Sequence, residues 1–248
     1  MDTRNSRSMN LTSLLLALIF ISISISVQAG DNNHVYSPCR DTKVQRDDGF
    51  SFGIAFSRSN SFYLNNNFSI QLSPCDRRLS LSGNSQLALF RPKVDEISLL
   101  TINSSSFNLD SDGTFMVAFA GSKYAARSPP VFVGNNSYVV TGFTLILEFK
   151  QGRLQNLFWK RDGCASCHGK GKSVCLKKQV CAIKRNDCKD QGGTIDCSLG
   201  IQLAFSGTDK HYTVLNSWYE VGNLRQYSLF GLYSNFRKSI TDQFNKIF

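Results

Sequence analysis

The chain has 248 residues, of which 42% are hydrophobic, enough to bury the core of one domain. Its formal net charge of +10 is local: residues 150–189 hold eleven Lys and Arg against two acids, whereas residues 31–149 and 190–248 are each balanced. After residue 27 no stretch is long and apolar enough to cross a bilayer, which excludes a multi-span membrane protein. The charge pattern predicts a basic element on a neutral body.

Residues 1–29 predict a cleaved signal peptide. Arg4 and Arg7 precede an apolar run, and Val27-Gln28-Ala29 supplies the small-x-small cleavage pattern. Because the apolar run is short and diluted by Ser and Thr, an uncleaved anchor helix is the weaker alternative. We therefore expect one β-rich domain over residues 30–248, secreted and without a transmembrane segment after cleavage.

Three N-glycosylation sequons lie in polar, turn-like stretches, at Asn67, Asn103 and Asn135. Glycans attach to such triplets in the secretory route, where a surface loop presents the asparagine. Together with the signal peptide, the sequons predict a secreted glycoprotein.

Apolar residues alternate with polar or small ones from residue 49 to about 160, the signature of half-buried strands. Four runs show this alternation most clearly, at residues 50–56, 68–72, 115–119 and 143–149. Residues 149–154 are typical of a hairpin turn that leads into a strand over 154–160. Many short strands separated by turn residues predict a mainly β fold, an antiparallel sandwich of jelly-roll type.

Near the C-terminus the apolar period changes. Between residues 222 and 247, aromatic and aliphatic side chains recur every three or four positions, which predicts an amphipathic helix. We expect this helix to pack on the sandwich. Its polar face mixes both signs of charge, which disfavours the alternative of a helix bound to an anionic membrane surface.

All eight cysteines follow the predicted cleavage site, and six of them fall within residues 164–197. An even number of cysteines in a secreted chain predicts four disulfides. Cys39 and Cys75 share a Ser-Pro-Cys context, and we expect them to pair. The connectivity of the other six remains open; they are Cys164, Cys167, Cys175, Cys181, Cys188 and Cys197.

The string Cys164-Ala-Ser-Cys167-His168 also matches motifs with other chemistry. Haem attachment needs an apolar pocket, whereas Lys and Arg flank this string. A zinc site needs free thiolates, which an oxidising compartment disfavours, and a redox pair needs a thioredoxin-like context that is missing. We therefore predict no metal and no cofactor, and a disulfide-rich basic insert over 164–197. Cross-links must hold this insert, because so short and charged a segment cannot bury its own core.

The cations of this insert predict recognition of a polyanion. The candidate binding residues are Lys170, Lys172, Lys177, Lys178, Lys184, Arg185 and Lys189. Outside the cell an acidic polysaccharide is the expected partner. Nucleic acid is disfavoured, because no aromatic residues for base stacking interleave with the lysines. The alternative is that the lysines only keep a cross-linked loop in solution.

Catalytic residues are scarce in this sequence. Glu148 has no acidic neighbour two residues away, and Asp95 and Glu96 point to opposite faces of a strand, so no pair of facing carboxylates is evident. No Gly-x-Ser-x-Gly elbow marks a nucleophile for a serine hydrolase. We expect a non-enzymatic protein with no catalytic residue.

Four strings are distinctive when taken together: SPCRDTK at 37–43, LSPCDRR at 72–78, WKRDGCASC at 159–167 and DCSLGIQLAF at 196–205. They resemble a family of plant secreted proteins known by the label Expp, and the likeness covers the whole mature chain. The resemblance implies the plant apoplast or cell wall as the location, and it transfers no functional residue.

These observations together predict a secreted cell-wall protein that binds acidic polysaccharide through its basic, disulfide-rich insert. Two other functions remain as alternatives. One is a wall-polysaccharide hydrolase or esterase with a site spread over the fold. The other is a cell-surface signalling or receptor-associated protein that uses the insert as a protein contact.

Overall fold

A computed structural model describes residues 30–58, 62–64, 70–77, 79, 86–102, 114–128, 132–133, 137–160, 163–164, 167, 173–178 and 180–224. The chain divides into two units, Met1–Gly30 and Asp31–Phe248, and the described strands and helix all belong to the second. The signal peptide, the three sequon asparagines, Lys170, Lys172 and residues 225–247 of the predicted helix all lie outside the described residues.

The fold is mainly β, as the alternating apolar runs predict. The described strands are β1 (Phe52–Arg58), β2 (Tyr63–Leu64), β3 (Ile70–Gln71), β4 (Gln86–Phe90), β5 (Ser98–Ile102), β6 (Thr114–Ala120), β7 (Tyr124–Arg127), β8 (Phe132–Val133), β9 (Tyr138–Val139), β10 (Gly142–Lys150), β11 (Arg153–Lys160), β12 (Ser173–Leu176), β13 (Val180–Lys184), β14 (Leu199–Thr208) and β15 (Val214–Leu215). The helix α1 (Ser217–Leu224) follows β15.

Two sheets build the body of the domain. The first has the strand order β4-β1-β6-β7, with antiparallel neighbours throughout. The second has the order β11-β10-β14, and both β5 and β15 pair with β14. One continuous core takes Phe52 and Met116 from the first sheet and Leu145 and Phe205 from the second. The predicted β-sandwich is therefore confirmed.

One strand pair departs from the all-antiparallel pattern. Strands β10 and β14 run parallel, with Gly142 opposite Gly200 and Phe149 opposite Gly207. Parallel strands are normally buried on both faces, and residues 143–147 of β10 are indeed all buried. This run is therefore a central strand, although its sequence also shows the alternation of a half-exposed one.

The hairpin between β10 and β11 forms where the sequence predicts it. Lys150 pairs with Arg153 across a two-residue turn, in which Gln151 and Gly152 have φ of 53° and 75°. Positive φ at both turn residues matches the right-handed twist of the flanking strands. A Cβ on Gly152 would collide with the carbonyl oxygen of Val44, so the N-terminal segment packs directly on this turn.

The residues that follow the predicted cleavage site are held by Arg91. Its Nη2 lies 2.7 Å from Asp31 Oδ2, its Nη1 donates to the carbonyl of Val35, and the guanidinium lies 4.2 Å from the centre of the Tyr36 ring. Burial raises the pKa of Asp31, but hydrogen bonds from Gly49 N–H, Arg91 and Asn33 N–H outweigh it and lower that pKa below its ordinary value. Asp31 therefore holds the start of the domain in place in its charged, carboxylate form.

Helix α1 begins at Ser217, before the predicted start at residue 222. Asp95 Oδ1 accepts the N–H groups of Asn216 and Ser217 at 2.8 and 2.9 Å, and a carboxylate at this end of a helix is favourable. Arg46 Nη2 lies 2.8 Å from the other oxygen of Asp95. The start of the helix is therefore set by a tertiary contact with Asp95, which the apolar period of the helix sequence does not reveal.

Substitution of two glycines on β14 tests the parallel pairing. Gly207 has φ of 95°, and a Cβ there would overlap the carbonyl oxygen of Phe149, whereas a Cβ on Gly200 would have its nearest neighbours at 3.7 Å. We expect Gly207→Ala to lower the free energy of unfolding by more than about 2 kcal/mol, since left-handed backbone alone costs about 1–2 kcal/mol. Gly200→Ala should leave stability unchanged or raise it by up to about 1 kcal/mol. Chemical denaturation measures both, and equal losses would contradict the observed register.

Candidate functional site

Strands β12 and β13 of the basic insert join β9 and β8 in a third sheet with the order β12-β13-β9-β8. Ile183 pairs with Val139 and Lys184 with Tyr138, which joins the insert to the body of the domain. Ala182 and Ile195 belong to the main hydrophobic core. The insert is therefore held by the packing of its inner half into the core as well as by its cross-links.

The outer half of the insert is a hairpin covered by two disulfides. Cys175 and Cys181 lie opposite each other on β12 and β13, so their side chains leave the same face of the hairpin. Cys164 bonds to Cys175, and Cys167 bonds to Cys181. Cys164 and Cys167 are therefore both attached to that face, and both of their sulfurs belong to disulfides.

The remaining two disulfides close the base of the insert and the N-terminal segment. Cys188 bonds to Cys197, and both residues are buried in the core. Cys39 bonds to Cys75, the pair that the matching Ser-Pro-Cys contexts predict. Disulfide bonding of the eight cysteines is thus confirmed.

The candidate polyanion-binding residues fall into two groups. Lys177 and Lys178 are exposed at the tip of the β12–β13 hairpin, whereas Lys184, Arg185 and Lys189 lie at the other end of β13. Strand β13 (Val180–Lys184), which spans about 13 Å, lies between the two groups. A ligand must therefore be a long polymer to contact both groups at once.

The two groups differ in their electrostatic surroundings. Beside the inner group, hydrogen bonds from Ser198 lower the pKa of Asp196, and the positive charge of Lys189 adds to that effect. The 3₁₀ turns that follow β13 also carry Asp187 and Asp190. Acids therefore partly offset the inner cations, although Lys184 and Lys189 are exposed, whereas the exposed Lys177 and Lys178 stand at the tip away from these acids.

A cleft of about 140 Å³ lies near the β10–β11 turn. Three segments that are distant in sequence form it: residues 40–42, 120–124 and 153–155, together with Phe50. Three cations, one carboxylate and several neutral polar groups line it, namely Arg40, Lys123, Arg153, Asp41, Thr42, Tyr124 and Gln155. The sequence reasoning missed this site because no motif links the three segments; only the fold brings their charges together.

The walls of the cleft are held by contacts behind them. Gly121 N–H donates to the carbonyl of Pro38 at 2.7 Å, and Ser73 Oγ donates to the carbonyl of Gly121 at 2.7 Å. The disulfide between Cys39 and Cys75 crosses the same place, next to Arg40. The backbone that carries Arg40 is therefore held in place by these hydrogen bonds and by the disulfide, without a ligand.

The cleft and the insert lie at opposite ends of β11. Arg153 is the first residue of this strand and Lys160 is the last, and the insert follows Lys160. Seven extended steps separate the two ends, about 23 Å. The single basic stretch of the sequence is therefore divided between two sites in space.

The described residues do not reproduce the geometry of a glycosidase. Such an enzyme needs two facing carboxylates, and the cleft holds one, Asp41. His211 Nε2 lies 3.3 Å from Gln45 Oε1, an amide rather than a member of a catalytic triad. Within the described ranges, no group of three His, Cys, Asp or Glu could hold a metal ion. No helix in the same residues is long and apolar enough to span a membrane.

Comparison with known proteins finds one family. The family described as Uncharacterised protein DDB_G0273449 matches residues 9–136 and 126–248, which together take in almost the whole chain. Among curated proteins and solved structures no match is found.

Asp209 secures the N-terminal segment just beyond the cleft, and it is almost fully buried. Its Oδ2 accepts Arg46 N–H at 3.0 Å, and its Oδ1 accepts the N–H groups of His211 and Thr213 at 2.7 and 2.8 Å. Burial raises the pKa of Asp209, but these three hydrogen bonds outweigh it and lower the pKa below its ordinary value. The charged form is therefore the one that stabilises the fold.

Asp209→Asn should lower the free energy of unfolding by about 1–3 kcal/mol at pH 7, because an amide N–H₂ then faces a buried N–H donor. Since the folded-state pKa is depressed, the contribution of Asp209 is complete above about pH 4 and is lost as the pH falls through the folded-state pKa. The difference between wild type and variant should shrink accordingly in denaturation curves recorded from pH 7 to pH 2. The exposed Asp190→Asn serves as the control, and a difference independent of pH would contradict the role of the carboxylate.

Proposed function

This chain belongs to the DDB_G0273449 family, and we propose that it is a secreted, glycosylated, non-enzymatic protein of the plant cell exterior. In this proposal the basic insert binds acidic wall polysaccharide. The signal peptide pattern, the sequons and four disulfides support secretion. The likeness to the Expp proteins supports the plant apoplast as the setting.

The single observation that carries the binding proposal is the tip of the insert. Lys177 and Lys178 are adjacent, exposed and carried on a hairpin that two disulfides cross-link. A cross-linked support reduces the ordering that binding requires, so more of the electrostatic attraction becomes affinity. The tip therefore presents two ammonium groups on a fixed platform.

The backbone at the tip gives independent support. Lys177 and Lys178 have φ of 49° and 57°. Residues other than Gly, Asn and Asp seldom adopt this left-handed backbone conformation. Glycine at either position would relieve a cost of about 1–2 kcal/mol per residue. Two consecutive lysines at such positions favour a role for their side chains over a purely structural turn.

Polyuronates match this surface chemically. They present carboxylates at regular intervals, so a weak contact at each lysine is multiplied along one chain. An exposed pair of opposite charges contributes only about 0.2–1 kcal/mol, which means that affinity should come from many contacts. The alternative of a hydrolase or esterase finds less support, since the described cleft contains a single carboxylate.

The test measures binding of the secreted protein to de-esterified pectin and to its methyl-esterified form. We expect binding to the acidic polymer alone, and we expect it to weaken steeply as the screening length falls from about 30 Å at 0.01 M salt to about 8 Å at 0.15 M. Lys177→Gln with Lys178→Gln should weaken binding several-fold at low salt. The melting temperature should stay the same, because both side chains are exposed.

A matched control removes the same charge elsewhere. Lys93 and Lys150 are exposed and lie outside the insert, so Lys93→Gln with Lys150→Gln should bind as wild type does. Equal weakening in both double variants would mean that net charge, and not the tip, attracts the polymer. Failure to bind any acidic polysaccharide at low salt would leave the lysines as solubilising residues and refute the proposal.

A further inference from the structure

We infer that the cleft formed by residues 40–42, 120–124 and 153–155 is a second binding site, which takes a single sugar ring bearing a carboxylate. This inference depends on the proposed function in one respect: the choice of a uronic acid as the sugar follows from the proposed binding of acidic polysaccharide. The site lies about 23 Å from the insert along β11, so the two sites act separately.

The charge of the cleft points to an anion. Arg40, Lys123 and Arg153 line it together with one acid, Asp41. Among the described residues, the ion pairs Arg46–Asp95 and Arg91–Asp31 use none of these three cations. Arginine presents a planar fork of donors that matches a carboxylate with two parallel hydrogen bonds. The cleft therefore holds cationic donors without a protein carboxylate paired to them.

The size of the cleft selects one ring. Its volume is about 140 Å³, and an engineered protein cavity of about 150 Å³ accommodates benzene. Sites for drug-sized ligands are larger, about 300–1,000 Å³. The ring of one sugar unit matches this volume, with its substituents at the open side of the cleft, whereas further units of an oligosaccharide would lie in solvent.

The remaining lining groups point to a hydroxylated ring. Asp41 accepts hydrogen bonds, the Gln155 amide can donate and accept them, and the Thr42 hydroxyl can accept one while its proton is donated to Asn33 Oδ1, which suits sugar hydroxyls. Phe50 is buried beneath the cleft and Tyr124 is half-buried beside it, which gives an aromatic surface for the apolar face of a sugar. Phosphate has no apolar face to lie against these rings, so they favour a sugar acid over phosphate.

The site is built in advance of any ligand. Thr42 Oγ1 donates to Asn33 Oδ1 at 3.0 Å, and Val44 N–H donates to the carbonyl of Gly152 at 2.9 Å. These bonds fix the N-terminal wall against the turn that carries Arg153. Little conformational freedom is therefore lost when a ligand binds, which favours even a small one.

Titration calorimetry with D-galacturonate tests the inference, with its methyl ester as the neutral analogue and inorganic phosphate as the competing anion. At fixed ionic strength we expect saturable binding of one equivalent of galacturonate, and binding of the ester and of phosphate at least tenfold weaker. Trigalacturonate distinguishes a chain end from a free sugar, because a site for chain ends binds the trimer at least as tightly as the monomer.

Two variants and a control locate the site. Arg153→Gln and Lys123→Gln should each weaken galacturonate binding at least fivefold, since each removes one lining cation. Lys150→Gln should bind as wild type does, because Lys150 pairs with Arg153 across the same turn without lining the cleft. The melting temperature of each variant shows whether it is folded; if one unfolds, the other decides.

The inference is overturned if both folded variants bind galacturonate like wild type, or if the ester or phosphate binds as tightly as galacturonate. It fails separately from the proposed function. Loss of polymer binding with monomer binding retained would refute the role of the insert alone, whereas polymer binding by the insert without monomer binding would refute the cleft alone. The variant with Gln at 177 and 178 should keep monomer binding in full.

Discussion

Strands β10 and β14 lie side by side and parallel at the centre of the second sheet, and the other parts of the domain are placed by this pair. Their buried side chains join the strands of the first sheet in one core. On its other edge β14 receives β5, β15 and the helix that follows them. Gly207 makes the pairing possible, because only a glycine tolerates both its positive φ and the carbonyl of Phe149 against it.

Two cationic sites of different kinds result from this arrangement. The hairpin tip presents the exposed charges of Lys177 and Lys178 on a cross-linked hairpin. In our proposal it binds a polymer through many weak contacts. The cleft is small, partly open to solvent and mixed in polarity, and in our proposal it takes one sugar ring. Because β11 separates them, a bound polymer and a bound sugar unit would not compete for the same surface. In the proposed function, the domain therefore attracts a polymer at the tip and recognises one sugar unit at the cleft.

The sequence predicts the strands well because a strand with one buried face has alternating apolar and polar residues. The turn at Gln151-Gly152 is predictable because it depends on local backbone geometry. It predicts the pair Cys39–Cys75 from matching contexts. It could not predict the parallel pairing, since the run 143–149 satisfies both an alternating and a continuous pattern. It also missed the cleft, because Arg40, Lys123 and Arg153 are isolated in sequence and meet only through long-range pairing. The early start of α1 depends on Asp95, which is equally distant along the chain.

The insert also connects β11 to β14, and its length has a consequence for the evolution of the sequence. Strands β11 and β14 flank β10, so the chain between them has to cross only two strand spacings, about 10 Å, yet residues 161–198 are used for this purpose. The inner part, with Ala182, Cys188 and Ile195, is tied to the core and tolerates little substitution. The tip is under no such constraint. Relatives should therefore differ most in the charge and length of the tip, where ligand preference can evolve without risk to the fold.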